Sequence, residues 1–155
     1  MIRLATQADI PAIQPLLHQV IELHHKAKPE IFKKETAEGT IAKLRACFEN
    51  ENSRIYVATE EHGKVVGFAI CQYRKIKDNP FIENIKYCYL DDLCVDEKYR
   101  NQGIGTRLCN YIKQDAKRNG CNALRLNVWA LNKEALHFYE KQGLSPLSTI
   151  MNQNL

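Results

Sequence analysis

Two adjacent carboxylates, an arginine and a pair of glycines fall within the stretch DDLCVDEKYRNQGIGTRL, Asp91 to Leu108. The apolar run from Tyr89 to Val95 reads as a strand and the segment from about Gly103 as a helix, so the glycines occupy a loop-to-helix junction. The first amides of a helix have no intrahelical acceptor and sit at the positive end of its dipole, which suits such a junction to an anion. Elimination narrows the kind of loop. A dinucleotide fingerprint needs its glycines directly after the strand and a third one further on, whereas here seven residues separate Val95 from Gly103 and Leu108 stands in the third position. A Walker loop needs Gly-Lys-Ser/Thr, and GIGTRL has no lysine. What remains is Arg100-x-x-Gly103-x-Gly105. Either its glycines let the amides of Gly103, Ile104, Gly105 and Thr106 approach a pyrophosphate, or they form an ordinary turn into a helix.

The elements that must position this junction alternate in type. IRLA, from Ile2, is a short strand. Asp9 is placed to cap a helix reaching about Lys26, with Ile10, Ile13, Leu17, Val20 and Ile21 at helical spacing and Pro15 near its start. A second helix spans about Glu35 to Phe48, on the stripe Ile41, Leu44 and Phe48. RIYVATEEHGKVVGFAICQY reads as a hairpin turning at His62-Gly63, its return arm running from Val65 to Tyr73. After the glycines, Ile104, Leu108, Ile112 and Ala116 fall at every fourth residue, Lys117 and Arg118 complement the helix C-terminus, and Gly120 ends it. This crossover helix leads to the strand ALRLNVW, which favours a parallel neighbour. Asn132 caps KEALHFYEKQ, Gly143 ends it, and a last irregular strand is expected at about Leu147 to Met151. The expected fold class is a mixed α/β, or α+β, sheet flanked by helices.

Bulk properties exclude several functions. The 155 residues are 45% apolar and 26% charged, with neither repeats nor a linker, so one domain over 1–155 is expected. A chain of this length buries roughly 70% of its unfolded surface and needs no disulfide or structural metal. Cys47, Cys71, Cys88, Cys94, Cys109 and Cys121 show no CxxC spacing and are read as free, mostly core thiols of a cytoplasmic protein. MIRLATQADI lacks the apolar run of a leader, and no stretch approaches the ~20 apolar residues that span a bilayer. The net charge of +4 comes from 22 Lys and Arg scattered among 18 acids, without the basic block a nucleic acid would need. His18, His24 and His25 lack the alignment of a zinc pair, so no metal site is expected.

At this point the sequence resembles the GNAT acyl-CoA N-acyltransferases. LCVDEKYRNQGIGTRL resembles their pyrophosphate motif, Gln/Arg-x-x-Gly-x-Gly/Ala after a strand ending in Val and an acidic residue. LNVWALNKEALHFYEKQGL resembles their later strand, Asn, helix with Phe-Tyr, and Gly. Order and spacing match from Ile55 to Leu144. Asn101 stands where many members have Gly, and Asn tolerates the left-handed backbone. The resemblance implies a central mixed, mostly antiparallel sheet and acetyl-CoA as co-substrate, released as CoA. Arg100, Asn101, Gln102 and Gly103, with Ile104, Gly105, Thr106 and Arg107, would then hold the pyrophosphate. Leu93, Cys94 and Val95 would hold pantetheine through their backbone and polarise the thioester carbonyl.

The chemistry implied is attack of an amine on a thioester, which needs a base for the amine and an acid for the departing thiolate. By resemblance Asn132 binds the pantetheine arm and Tyr139, two helical turns on and on the same face, is the acid. Spermidine/spermine acetyltransferases have a Glu-Asp pair in the register of Asp91 and Asp92, so Asp91 is the first candidate base and Asp92 the second. Strand alternation would send the two side chains to opposite faces. Phe138, Ala135 and Trp129 are read as packing and His137 as surface, while His25 is either solvated or lines an acceptor pocket. The segments bordering the acceptor side carry no acidic excess: Lys26, Lys28, Lys33 and Lys34 outnumber Glu22, Glu30 and Glu35, and Arg74, Lys75, Lys77 and Lys86 outnumber Asp78 and Glu83. That balance suggests a neutral or anionic primary amine, or a peptide amine, rather than a polyamine. A non-catalytic acyl-CoA-binding module is the alternative of a different class. Family analogy and the apolar tail LSTIMNQNL suggest a homodimer.

Overall fold

Alternating apolar residues in the middle of the chain build a sheet with two buried faces. The computed structural model describes residues 1–155. Strands β1 (Ile2–Leu4), β2 (Ser53–Thr59), β3 (Val65–Ile76), β4 (Ile85–Val95) and β5 (Ala123–Leu126) lie side by side in chain order. The first four pair antiparallel, and β5 runs parallel to β4. The β2–β3 hairpin turns where expected, with Gly63 at φ 83°, a left-handed value that favours glycine. The parallel pair requires a crossover, supplied by α3 (Ile104–Arg118).

Each face of the sheet carries its own core. On one side α1 (Ile10–Ala27) and α2 (Ala37–Glu49) press Ile13, Leu16, Leu17 and Leu44 onto Ile55, Val57, Phe68 and Ile70. On the other, the predicted stripe of α3, Ile104, Leu108, Ile112 and Ala116, is buried against Tyr56, Ala69, Cys71 and Leu90. Two tyrosine hydroxyls at this second core are satisfied together: Tyr56 and Tyr73 both donate to one carboxylate oxygen of Asp115 on α3, at 2.7 and 2.9 Å. The helix α4 (Lys133–Lys141) packs on the same side through Tyr139. All six cysteines are free, four of them buried. No helix is long and apolar enough to cross a membrane.

The structure departs from the sequence reading in four places. Asp9 does not cap α1 with its side chain. Its carboxylate accepts from the Thr6 N–H and from the Arg3 guanidinium, each at 2.8 Å, and so fixes a short turn at Gln7–Asp9 that leads into α1. Hydrogen bonding to Arg3 holds its pKa down to about 2. No strand forms at Leu147–Met151: residues 144–155 have no regular structure, and Leu147, Ile150 and Met151 are exposed. Pro146 interrupts that segment, and no strand pairs with it to take up its backbone groups. β5 stops at Leu126, short of the expected Trp129. The fourth departure, in β4, explains the third.

Candidate active site

Between Leu90 and Asp92 the pairing of β4 slips by one residue. Ile70 faces Asp92 while the next residue, Cys71, faces Leu90, which leaves Asp91 as the extra residue of a β-bulge. The inward positions change parity across it. Cys88 and Leu90 point into the α3-side core before the bulge, and Leu93 and Val95 do so after it. Asp91 and Asp92 therefore share the α1–α2 face instead of the opposite faces that alternation predicts. Asp92 reaches Lys43 of α2 at 2.5 Å, and Asp91 lies near Arg74 at 3.9 Å.

The bulge also opens the sheet. β4 and β5 stay in register only from Tyr87 to Leu90, after which the strands part and the outer edge of β4 is bare. The Asp96 N–H bonds Val66 of β3, so alternation turns the backbone groups of Val95 and Leu93 toward the open edge. A cleft of about 530 Å³ fills the gap, lined on its β4 wall by the whole run Asp91 to Val95.

The glycine loop forms one end of this cleft. Asn101 and Gly103 are both left-handed, at φ 61° and 74°, which swings the chain into α3 with Gly103 as the residue before its first turn. The first helical bond of α3 is from the Arg107 N–H to the Gly103 carbonyl, and every amide from Asn101 to Thr106 lacks an acceptor in the chain. Consecutive free N–H groups at a helix start are a cradle for an anion. Arg100 stands beside them, its Nε held by the Val95 carbonyl at 3.1 Å. Gly105 serves a second need: a Cβ there would come within 3.2 Å of the Phe138 ring, so its absence lets α4 close on α3. Arg107 and Gln102 lie off the cleft wall, and Arg107 donates to the Gln102 carbonyl at 3.1 Å.

Helix α4 supplies the facing wall. Asn132 caps it, its side-chain oxygen accepting from the Ala135 N–H at 3.0 Å. Asn132, Ala135, Phe138 and Tyr139 all line the cleft, so the last of the Phe-Tyr pair does share it with the β4 carboxylates. The Tyr139 hydroxyl has no hydrogen-bond partner in the protein, and burial first, then Cys109 and Asp92, push its pKa upward. It remains protonated across the neutral range. Asp91 also shifts upward, through burial and then the adjacent charge of Asp92, with Arg74 and Lys43 opposing.

Several wall residues carry no motif. Gln19, Leu23 and His24 enter from α1 and Trp129 from the segment after β5. His24 stacks on Phe32 at 4.9 Å, and Phe32 meets Trp129 edge-on at 4.7 Å. Trp129 is thus part of the cleft rather than packing alone. His25 instead binds the Phe32 carbonyl through Nδ1 at 2.7 Å. The bordering segments also differ from their charge count: Asp91, Asp92 and Glu134 line the cleft, whereas of the counted cations only Lys28 reaches even its outer recess. The only sequence signal for these residues was an aromatic or histidine on an amphipathic segment, which marks packing just as often.

A model of the acetyltransferase (GNAT) family matches residues 17–144, and the chain belongs to that family. Members of the family use acetyl-CoA as co-substrate. The chain is 34% identical over 88 residues to an uncharacterised N-acetyltransferase of Methanocaldococcus jannaschii, covering 57% of this chain and 38% of that one. It is 38% identical over 60 residues to the mouse thialysine N-epsilon-acetyltransferase, covering 39% and 35%. The chain therefore spans little more than a third of the length of these relatives. A solved tetramutant of a Bacillus halodurans protein superposes with a TM-score of 0.95 at 28% identity, over 100% of this chain and 99% of that one.

Proposed function

We propose that the chain is an acetyl-CoA-dependent N-acetyltransferase that transfers the acetyl group to a primary amine of a small molecule or peptide by direct attack. The observation that carries this reading is one cleft uniting a bare strand edge, a run of unpaired amides, a half-buried carboxylate and an unpartnered, half-buried tyrosine. The free amides from Asn101 to Thr106, with Arg100, fit a pyrophosphate; the open backbone groups of Leu93, the Val95 N–H and the side-chain amide of Asn132 fit the amide-bearing arm that joins it to the thioester.

Asp91 is the base that takes the ammonium proton, through a water where its short side chain does not reach. Asp92 is the weaker candidate because Lys43 already engages it. As the amine nitrogen bonds to the carbonyl carbon and the carbon–sulfur bond breaks, Tyr139 gives its proton to the departing thiolate. Burial keeps that proton in place until a negative sulfur forms beside it. The acidic lining suits an amine that arrives as a cation, which revises the expectation of a neutral or anionic acceptor. The mouse relative is named for acetylation at the N-epsilon position of thialysine, itself such an amine.

Release of CoA thiol in the presence of a mixed pool of primary amines, with acetylated products found by mass spectrometry, tests the reading. Tight binding of acetyl-CoA without thiol release from any amine would mark a non-catalytic binding module instead. The exposed apolar residues of the tail, Leu147, Ile150 and Met151, support a homodimer covering them. A monomer by light scattering at micromolar concentration would remove that part.

A further inference from the structure

A second recess of about 190 Å³ opens off the cleft at the end away from the glycine loop. Its walls are Leu23, His24, Ala27, Phe32, Trp129 and Leu131, with Lys28, Asn132 and Glu134 completing the lining, and it shares Leu23, His24, Trp129, Asn132 and Glu134 with the main cleft. Apolar cavities of roughly 150 Å³ take up benzene, so the space matches one aromatic ring. Three of its walls are aromatic rings that brace one another: His24 and Phe32 lie 21° from parallel, while Phe32 and Trp129 meet at 75°. The backbone carrying Phe32 is pinned by His25, so the wall is preformed. Leu23, Leu131 and Trp129 are 57%, 62% and 38% exposed, apolar surface that an occupant would cover. Burial lowers the pKa of His24, leaving a neutral ring facing the recess, and Asp92 is near enough to act on its charge.

Resting on the acetyltransferase reading above, we propose that this recess holds an aryl group of the acceptor, whose ammonium is carried on a short linker to the carboxylates of the β4 bulge. The acceptor class is then an arylalkylamine. A polyamine would instead bring a second ammonium into a mostly apolar recess whose single carboxylate, Glu134, shares the lining with the cation Lys28, so it would lose its water for little return.

Trp129 is the only tryptophan, so its emission reports the recess directly. Titration with phenethylamine should give a saturable change in emission that n-butylamine does not give. The variant Ala27→Leu, which fills the recess from the end of α1, should abolish it. In CoA-release assays at saturating acetyl-CoA, kcat/KM for phenethylamine should exceed that for n-butylamine and spermidine by roughly tenfold or more, a usual return for filling an apolar pocket. Ala27→Leu should erase that preference, bringing kcat/KM for phenethylamine down to that for n-butylamine. Equal rates for phenethylamine and n-butylamine, or a preference for spermidine, would overturn the proposal, as would an emission change that Ala27→Leu leaves intact. Saturable emission without CoA release from any amine would keep the aryl site and remove the acetyltransferase reading instead.

Discussion

The two ends of the cleft are built on different principles. At the glycine-loop end the available polar groups are backbone amides, presented by a contiguous unpaired run from Asn101 to Thr106 that needs only two left-handed residues and a helix start. At the opposite end they are side chains from elements far apart in sequence: His24 from α1, Phe32 from the following loop, Trp129 from beyond β5 and the two aspartates from the bulge. A site made of local backbone tolerates few changes at its turn residues and is indifferent to most side chains. A site made of distant side chains inverts both properties, because its shape depends on how four segments pack.

Substitution at Gly103 should have the largest effect and tests the backbone end alone. Gly103→Val places a β-branched residue at φ 74°, which costs at least about 1–2 kcal/mol, and sets branches in the path of a phosphate. Acetyl-CoA affinity by calorimetry should fall about 100-fold or more in a protein whose circular dichroism is unchanged; an unaltered affinity would mean that the loop is only a helix start. Next in size, Tyr139→Phe should lower kcat about 100-fold with acetyl-CoA affinity nearly intact, because the ring still packs and only the proton is missing. Unchanged kcat would leave Tyr139 as packing, with water protonating the sulfur.

The bulge lies where the two ends meet, and its pH behaviour separates the aspartates. A base must be ionised, so kcat/KM rises with pH through the pKa of Asp91, which burial and Asp92 place above the ordinary aspartate value. Asp91→Asn should remove that rising limb. Asp92→Asn deletes a like charge and should move the limb to lower pH, whereas Lys43→Met deletes a favourable cation and should move it to higher pH. If Asp92→Asn abolishes the limb and Asp91→Asn does not, the base is Asp92. The smallest effect sharpens the contrast from the other side: Asn101→Gly, at φ 61°, should change acetyl-CoA affinity by less than about threefold, since glycine adopts that backbone freely. A larger loss would show that the Asn101 side chain itself takes part in binding.

How much of this was legible follows from the same division. The stripe of α3, the crossover it makes, the Asn132 cap and the left-handed Asn101 were all readable, because each is set by residues within one or two turns of one another. The Asp91–Asp92 geometry was not. Alternation is the only rule that a strand sequence offers, and the bulge that breaks it is a property of pairing with β3. The charge lining the cleft was not legible for a related reason: a segment sum cannot say that Lys26, Lys33 and Lys34 lie off its walls while Glu134, from another helix, faces in. The aromatic recess left no trace, since His24, Phe32 and Trp129 are separated by too many residues for spacing to relate them.

By itself, then, the sequence determined the helix periods, the turn chemistry and the unpaired amides of the glycine loop, all fixed by short-range backbone sterics and by hydrogen bonds that a helix end must leave unmade. Only the tertiary structure decided that β4 bulges and parts from β5, that both aspartates turn toward α1 and α2, and that aromatic residues from remote segments enclose one ring-sized space. Those features depend on long-range pairing and close packing, in which the position of each side chain is set by neighbours that its own stretch of sequence does not contain.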